Sequence, residues 1–355
     1  MAKNEAVPVR DGEELDLNKL RAYLEAQGFG IHGQLQQQQF PSGYSNLSYL
    51  LQDDAQSWVL RRPPLGASAK GGHDMGREFR ILSALHPVYG KVPKPFHYCD
   101  EEAVLGAPFY IMEKVEGIII RKGFPESLSQ PADLERFSRQ LVDALGDIHA
   151  LDVEAAGLGR LGRPEGYVRR QIEGWTKRYL AAQTDQIPRM IKISEWLMAH
   201  MPEEAGATLI HNDYKIDNVV LDSDSSELVA VLDWEMATVG CPLMDLGASL
   251  GYWVDADDPL PMRMLPVGPT HEAGYLSRQM AVARYEQKTG RTVKDPVFYY
   301  VYGLWRIAII LQQIYMRYVF GYTTDHRFAH LIQGVQLLSI QAEQAIEKER
   351  YWNLA

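Results

Sequence analysis

The sequence predicts an α+β fold of two lobes, a small antiparallel sheet followed by a larger helical part. Three observations carry this. Strand-patterned segments dominate the first 112 residues or so, helical spacing dominates from Pro131 onward, and short apolar runs alternate with turn residues between Ala207 and Trp234. The expected boundaries are a strand-rich lobe with a leading helix over 1–112, a hinge over 113–117 and a helical lobe over 118–355.

Taken in order, Asp16–Gln27 reads as a short amphipathic helix stopped by Gly28. The run Gln36–Gln39 is too short to count as a low-complexity segment. Ser48–Gln52 and Ser57–Arg61 flank the turn residues Asp53-Asp54-Ala55-Gln56 as a hairpin. Phe79, Leu82 and Leu85 give Gly76–Leu85 a helical period, with Pro87 just beyond its end. Strands are expected at Pro95–Cys99 and Pro108–Glu113. Helices are expected at Leu134–Leu151, Tyr167–Ala182, Arg189–Met201, Ser277–Lys288, Tyr299–Tyr318 and Phe328–Arg350. Within the β-rich island, ATLI leads into His211, NVVLD follows Asn218, and ELVAVLD follows a Ser-rich turn.

Composition excludes several function classes. A formal charge of -10 argues against a broad nucleic-acid surface, which needs a basic face. Two cysteines, Cys99 and Cys241, in 355 residues are no disulfide framework and point to a reducing, cytoplasmic setting. The N-terminal stretch is polar and mixed in charge, unlike a signal peptide. Val301–Phe320 is apolar but interrupted by Arg306, Gln312, Gln313 and Arg317, so it reads as a buried helix rather than a membrane span. Oligomeric state leaves no trace in the sequence.

The chemistry concentrates in His211-Asn212-Asp213-Tyr214-Lys215-Ile216-Asp217-Asn218, a loop between two expected strands with Asp213 and Asn218 five apart. A phosphoryl transfer from ATP needs a carboxylate to orient the attacking hydroxyl, and oxygen ligands for Mg2+. A turn rich in Asp and Asn is the plainer reading of the octapeptide alone. The second segment, Val231-Leu232-Asp233-Trp234-Glu235, ends a strand expected to pair with NVVLD and so returns a further carboxylate toward Asn218. Together the two segments are far more specific than either one.

HNDYKIDN, LDWE and the downstream GCPLMDLG resemble the catalytic and metal-binding motifs of the aminoglycoside phosphotransferase/choline kinase family, a branch of the protein-kinase-like fold. The similarity runs from about Phe40 to about Tyr322. The resemblance implies a two-lobed kinase-like fold, ATP and Mg2+ as cofactors, and a small-molecule substrate. By it, Asp213 is the catalytic base, with Lys215 near the transferred phosphate. Asn218 and Asp233 hold the metal, while His211 and Asp245 support the loop. In the first lobe it implies a phosphate-covering loop over Phe40–Asn46, with Ser45 and Asn46 at the nucleotide. Arg61 stands where the family presents a lysine to the α- and β-phosphates, and Glu78 is its acidic partner. Arginine keeps the charge but is not equivalent to lysine. Alternation along the strand lets only one of Arg61 and Arg62 face the nucleotide, and the resemblance favours Arg61. Met112, Glu113 and Val115 fall in the segment that reads adenine. A solvated helix charge is the plainer reading of Glu78, and a core methionine that of Met112. His149 reads as a packed core histidine rather than a base.

Only twelve steps separate Asp233 from Asp245, with no A-P-E motif, so a peptide-docking platform does not fit and a small acceptor is expected. Two acceptor classes follow. Asp255, Asp257 and Asp258 suit a cationic aminoglycoside-like molecule, although acidic runs are usually just solvated. QFPSGYSNLSYLL, WVLRRPP and LDWEMATVGCPLMDLG more closely resemble the kinase-like domains fused to acyl-CoA dehydrogenases. That implies a hydroxylated acyl-CoA or related anionic alcohol, with Arg169, Arg170, Lys177, Arg178, Arg306 or Arg317 for its charge. A nucleotide-binding module without catalysis is the alternative of another class, but Asp213, Asn218 and Asp233 are all retained.

Overall fold

A computed structural model describes residues 6–41, 46–64, 73–323 and 325–354. The chain divides into two compact units. One comprises Met1–Ile118, Val220–Ser225 and Val229–Ala237; the other comprises Ile119–Val219, Ser226–Leu228 and Thr238–Ala355.

The first unit is built on an antiparallel sheet. Its strands β1 (Gln36–Gln39), β2 (Leu47–Gln52), β3 (Ser57–Arg62), β4 (Pro95–Cys99) and β5 (Phe109–Glu113) lie in the order β1-β2-β3-β5-β4. The β2–β3 hairpin closes because the Asp53 carboxylate accepts the N–H groups of Ala55 and Gln56, both at 2.8 Å. Helix α1 (Leu17–Ala26) starts where Asp16 accepts the Lys19 N–H, and sets Leu20 and Leu24 one turn apart into the core with Tyr49, Leu60 and Phe109. Edge strand β1 pairs along β2, Gln39 opposite Tyr49. Its four glutamines carry no strand pattern, and that pairing is what fixes it.

Helix α2 (Met75–Tyr89) is capped by Asp74 and ends at Gly90 in the left-handed region. Pro87 lies inside this helix and not beyond it. Proline's locked φ is itself helical, and in this last turn its missing N–H forfeits the single bond to the Ser83 carbonyl. A short helix, α3 (Glu102–Leu105), precedes β5. After β5, Gly117 adopts a φ of 151°, and a Cβ there would sit 2.2 Å from the Leu221 carbonyl. Only glycine lets the adjacent Ile118 bridge to Leu221.

The second unit is mainly helical: α4 (Pro131–His149), α5 (Tyr167–Ala182), α6 (Pro188–Ala199), α7 (Pro242–Leu250), α8 (Leu260–Arg263), α9 (Arg278–Thr289), α10 (Pro296–Val319) and α11 (Leu331–Glu347). The β-rich island contains β6 (Thr208–Ile210), β7 (Val219–Leu221), β8 (Leu228–Val231) and β9 (Thr238–Gly240). β6 pairs with β9 and β7 with β8. The unit boundary runs through β7 and β8.

Helices α7 and α10 touch through glycines. A Cβ at Gly303 would meet the Gly247 carbonyl at 2.0 Å, and one at Gly247 would meet the Tyr299 carbonyl at 2.2 Å. The backbones therefore approach as closely as glycine permits, fixing Asp245 and Arg306 within one packed helix pair. Among the described residues, α10 alone is long and apolar enough to cross a membrane, and 72% of its apolar window is buried inside this fold.

Candidate active site

In the second unit β6 delivers the chain into the loop His211–Asn218, and α7 anchors it. Asp245, fully buried in the first turn of α7, accepts three hydrogen bonds. Its Oδ2 takes the His211 N–H at 2.7 Å and His149 Nε2 at 3.1 Å, and its Oδ1 takes the Asn212 N–H at 2.7 Å. A carboxylate only accepts, so His149 carries its proton on Nε2, and its Nδ1 takes the Tyr285 hydroxyl at 2.7 Å. Burial opposes the charge of Asp245, yet the bonds from His149 and His211 hold its carboxyl below the usual range. Asn212, at a φ of 66°, turns the chain sharply, and His211 Nδ1 accepts the Asp213 N–H at 3.2 Å.

That frame presents Asp213. Its Oδ2 receives Asn218 Nδ2 at 3.0 Å and has Lys215 Nζ at 3.3 Å; its Oδ1 receives the Tyr252 hydroxyl at 3.3 Å. Asn218 Nδ2 also bonds the Asp213 carbonyl at 2.9 Å, which leaves the amide oxygen of Asn218 as an available ligand. Lys215 lies 3.7 Å from Asp217 and 5.1 Å over the Tyr252 ring. Burial and the Asp213 charge push the Tyr252 phenol up to about 12, so it stays a hydrogen-bond donor. Tyr167 donates to Asn212 Oδ1 at 3.1 Å.

The first unit holds a second cluster. Arg61, buried on β3, reaches Asp233 Oδ1 at 2.5 Å, Glu235 Oε2 at 2.8 Å and Glu78 Oε2 at 3.4 Å. Glu78 is 1% exposed on α2, so it is not a solvated helix charge. Burial drives its carboxyl up while Arg61 opposes that. Asn46 donates to Glu235 Oε2 at 2.6 Å. Asp233 sits in the left-handed region at a φ of 66°, a strained backbone for a non-glycine residue. It is held by Trp234, whose indole N–H bonds the Val231 carbonyl at 2.9 Å, and by Arg77 on the Glu235 carbonyl at 2.7 Å. Arg62 is also buried, and burial lowers its pKa. Met112 is buried on β5, Glu113 is exposed and accepts the Lys94 N–H at 3.0 Å, and Val115 is half-buried beyond the strand. Ser45 lies outside the described residues.

Two expectations are corrected. Asp255 and Asp258 are not a groove lining: they are buried against Arg278, with Asp258 Oδ2 at 2.5 Å from Nη1 and Asp255 Oδ2 at 3.4 Å from Nε. Nor do the six acceptor cations act alike. Arg169, Arg170, Lys177, Arg178 and Arg317 are exposed, whereas Arg306 is 2% exposed. Sequence reasoning gave no role to Tyr252, Tyr167 or Glu235. Glu235 was in view within LDWE; nothing local marks the two tyrosines.

The fold is that of a kinase-like protein, with Asp213 held in a loop that Asp245 braces. The chain belongs to the phosphotransferase enzyme family (APH), whose model matches residues 36–279. It is 35% identical over 89% of its length to acyl-CoA dehydrogenase family member 11 of Rattus norvegicus, and 34% identical over 92% to that of Homo sapiens. It spans about two fifths of the length of these relatives, 41% and 43%. A Ralstonia eutropha structure described as a candidate aminoglycoside phosphotransferase matches with a TM-score of 0.78 and 31% identity, covering 94% of this chain and 99% of that one. The GDP complex of aminoglycoside 2'-phosphotransferase-IIIa shares the fold, with a TM-score of 0.60, 16% identity and coverage of 92% and 98%.

Proposed function

We propose that this chain transfers the γ-phosphate of ATP, with magnesium, to a hydroxyl of a small anionic alcohol, a hydroxylated acyl-CoA or related hydroxy acid. The observation that carries this reading is the Asp213 carboxylate. It is aimed by Asn218 and Tyr252, charge-balanced by Lys215, and mounted on a loop that Asp245 holds by two backbone N–H groups. A carboxylate so held can orient an acceptor hydroxyl and take its proton as the phosphate arrives. Lys215 is then positioned to balance charge on the moving phosphoryl group, while His211 and Asp245 keep the loop in register.

Asn218 and Asp233 fit magnesium by chemistry, an amide oxygen and a carboxylate being the hard ligands it prefers. Among the described residues no three His, Cys, Asp or Glu side chains form a metal-holding group. A metal here needs phosphate oxygens for the rest of its shell, as magnesium usually does. When bound, it neutralises charge on the phosphates. Arg61, Glu78, Asn46 and the segment from Met112 to Val115 are assigned to the nucleotide, as is Ser45, which lies outside the described residues. Both cysteines are free and buried, which suits the cytoplasm.

The acyl acceptor class is supported by the likeness to acyl-CoA dehydrogenase family members. An aminoglycoside-type acceptor is disfavoured because Asp255 and Asp258 are engaged by Arg278. The retained Asp213, Asn218 and Asp233 speak against a non-catalytic nucleotide-binding module. The test is a screen of metabolite alcohols, with hydroxy acids, hydroxyacyl-CoAs and aminoglycosides included, for magnesium-dependent ADP release. Turnover on a hydroxy acid or its thioester is expected. Turnover confined to aminoglycosides, or on no alcohol at all, sinks the reading.

A further inference from the structure

Arg306 stands in α10 with its guanidinium 5.2 Å from the centre of the buried Trp175 ring, which also carries Arg178 at 4.6 Å. Its Nη1 is buried without a hydrogen-bond partner, and among the described residues no carboxylate pairs with it. Burial works against its charge and the Asp213 carboxylate favours it; the phenols of Tyr302 and Tyr252 near it are neutral, and an arginine stays protonated at neutral pH. Tyr252 bonds Asp213 directly, and Tyr167, also within electrostatic reach of Arg306, bonds the neighbouring Asn212. The cation is therefore set near the Asp213 loop, in aromatic surroundings, with no neutralising partner among the described residues. Isolated buried charge is strongly unfavourable, and a protein that keeps one beside its reacting groups keeps it for a ligand.

We propose that Arg306 is the specificity-determining residue of the acceptor site, its guanidinium receiving a compact oxyanion joined to the reacting hydroxyl by a short chain. The inference rests on the phosphotransfer reading of Asp213 and narrows it. The acceptor's anion enters a buried aromatic site, and the exposed cations of α5 do not select it. Those cations have local occupations: Arg169 lies 4.0 Å from Glu173, and Arg170 bonds the carbonyls of Arg163 and Glu165. A short linker follows because Tyr252 touches the base, and its chain neighbour Gly251 packs directly on Gly303 and Ile307, which flank Arg306 on α10. Carboxylate and phosphate share the required chemistry, a planar or trigonal set of oxygens suited to a guanidinium fork.

The experiment compares wild type, Arg306→Met and Arg306→Lys by thermal unfolding of the full chain at constant ionic strength. The probes are 3-hydroxybutyrate and inorganic phosphate, each against chloride. Wild type should be stabilised by at least one probe, and which of them works tells carboxylate from phosphate. Arg306→Met should lose that stabilisation and Arg306→Lys keep part of it. Without any probe, Arg306→Met should melt at or above wild type, because removing an unpaired buried charge relieves strain. A merely structural arginine would give a lower melting temperature instead. A drop of several degrees in the unliganded variant, equal stabilisation of both proteins, or no stabilisation of wild type overturns the proposal. In turnover, kcat/KM for a hydroxy acid should fall on the order of 100-fold in Arg306→Met, with that for its neutral amide and the KM for ATP unchanged. Anion binding by wild type without any phosphate transfer would instead defeat the reading of Asp213 and leave the anion site standing.

Discussion

Arg278 and Arg306 are both buried arginines of the helical unit, and their surroundings differ completely. Arg278 donates to Asp258 twice, at 2.5 and 2.7 Å, and to the carbonyls of Trp253 and Tyr351 at 2.9 and 2.6 Å. Gln341 completes the cage by bonding Asp258 Oδ1 at 2.9 Å. Every charge there is answered within the fold. Arg306 has an indole face and phenols around it but, among the described residues, no carboxylate in ion-pair contact. Identical chemistry thus serves two ends: a neutralised buried charge ties α9 to the segment before α8, and an unanswered one beside Asp213 awaits something from outside. The distinction cannot be made from residue type or from burial alone. It lies in what each guanidinium touches.

The largest effect expected from breaking this contrast is in Arg278→Met. Removing the cation leaves Asp258 buried without its bidentate partner, which costs about 3–5 kcal/mol. Urea unfolding should show that loss, in contrast to the neutral or favourable change expected for Arg306→Met. Similar unfolding midpoints for Arg278→Met and wild type would mean that the cage is not holding charge as described.

A smaller effect should appear in the pH dependence of stability. Burial pushes the Asp255 carboxyl up to about 7, with Asp258 and Asp257 adding to the shift and Arg278 opposing it. The folded protein then holds a proton that the unfolded chain, with Asp255 near 3.8, has released. Stability from this group is present below about pH 4 and lost as pH rises through about 7, at no more than about 1.4 kcal/mol per pH unit. Asp255→Asn should flatten the change in urea midpoint between pH 5 and 7.5. A variant with an unchanged slope would exclude Asp255 as its source.

Much of this arrangement was legible in sequence where the signal is local. The helix Tyr167–Ala182 matches its apolar period residue for residue, and the β2–β3 hairpin follows from Asp53 and its turn. What escaped depends on distant partners. Four glutamines become β1 only because β2 supplies the ladder, and β9 exists only as the partner of β6. The site divides in the same way. HNDYKIDN is contiguous and stands out. The link from Arg61 to Glu235 crosses 174 positions, and Tyr252 reaches Asp213 across 39. The acidic run at Asp255–Asp258 shows the opposite failure, since its sequence suggests an exposed patch and only Arg278 reveals a buried cage.

Asp213→Asn tests most directly whether Asp213 is the base of a phosphotransfer site. The substitution keeps the size of the side chain and removes its basicity. With an acceptor from the screen, phosphate transfer should fall about 10³-fold. Mg-ATP binding and the unfolding midpoint should stay near wild type. Transfer that persists within a few fold in a folded, ATP-binding Asp213→Asn protein would contradict the account.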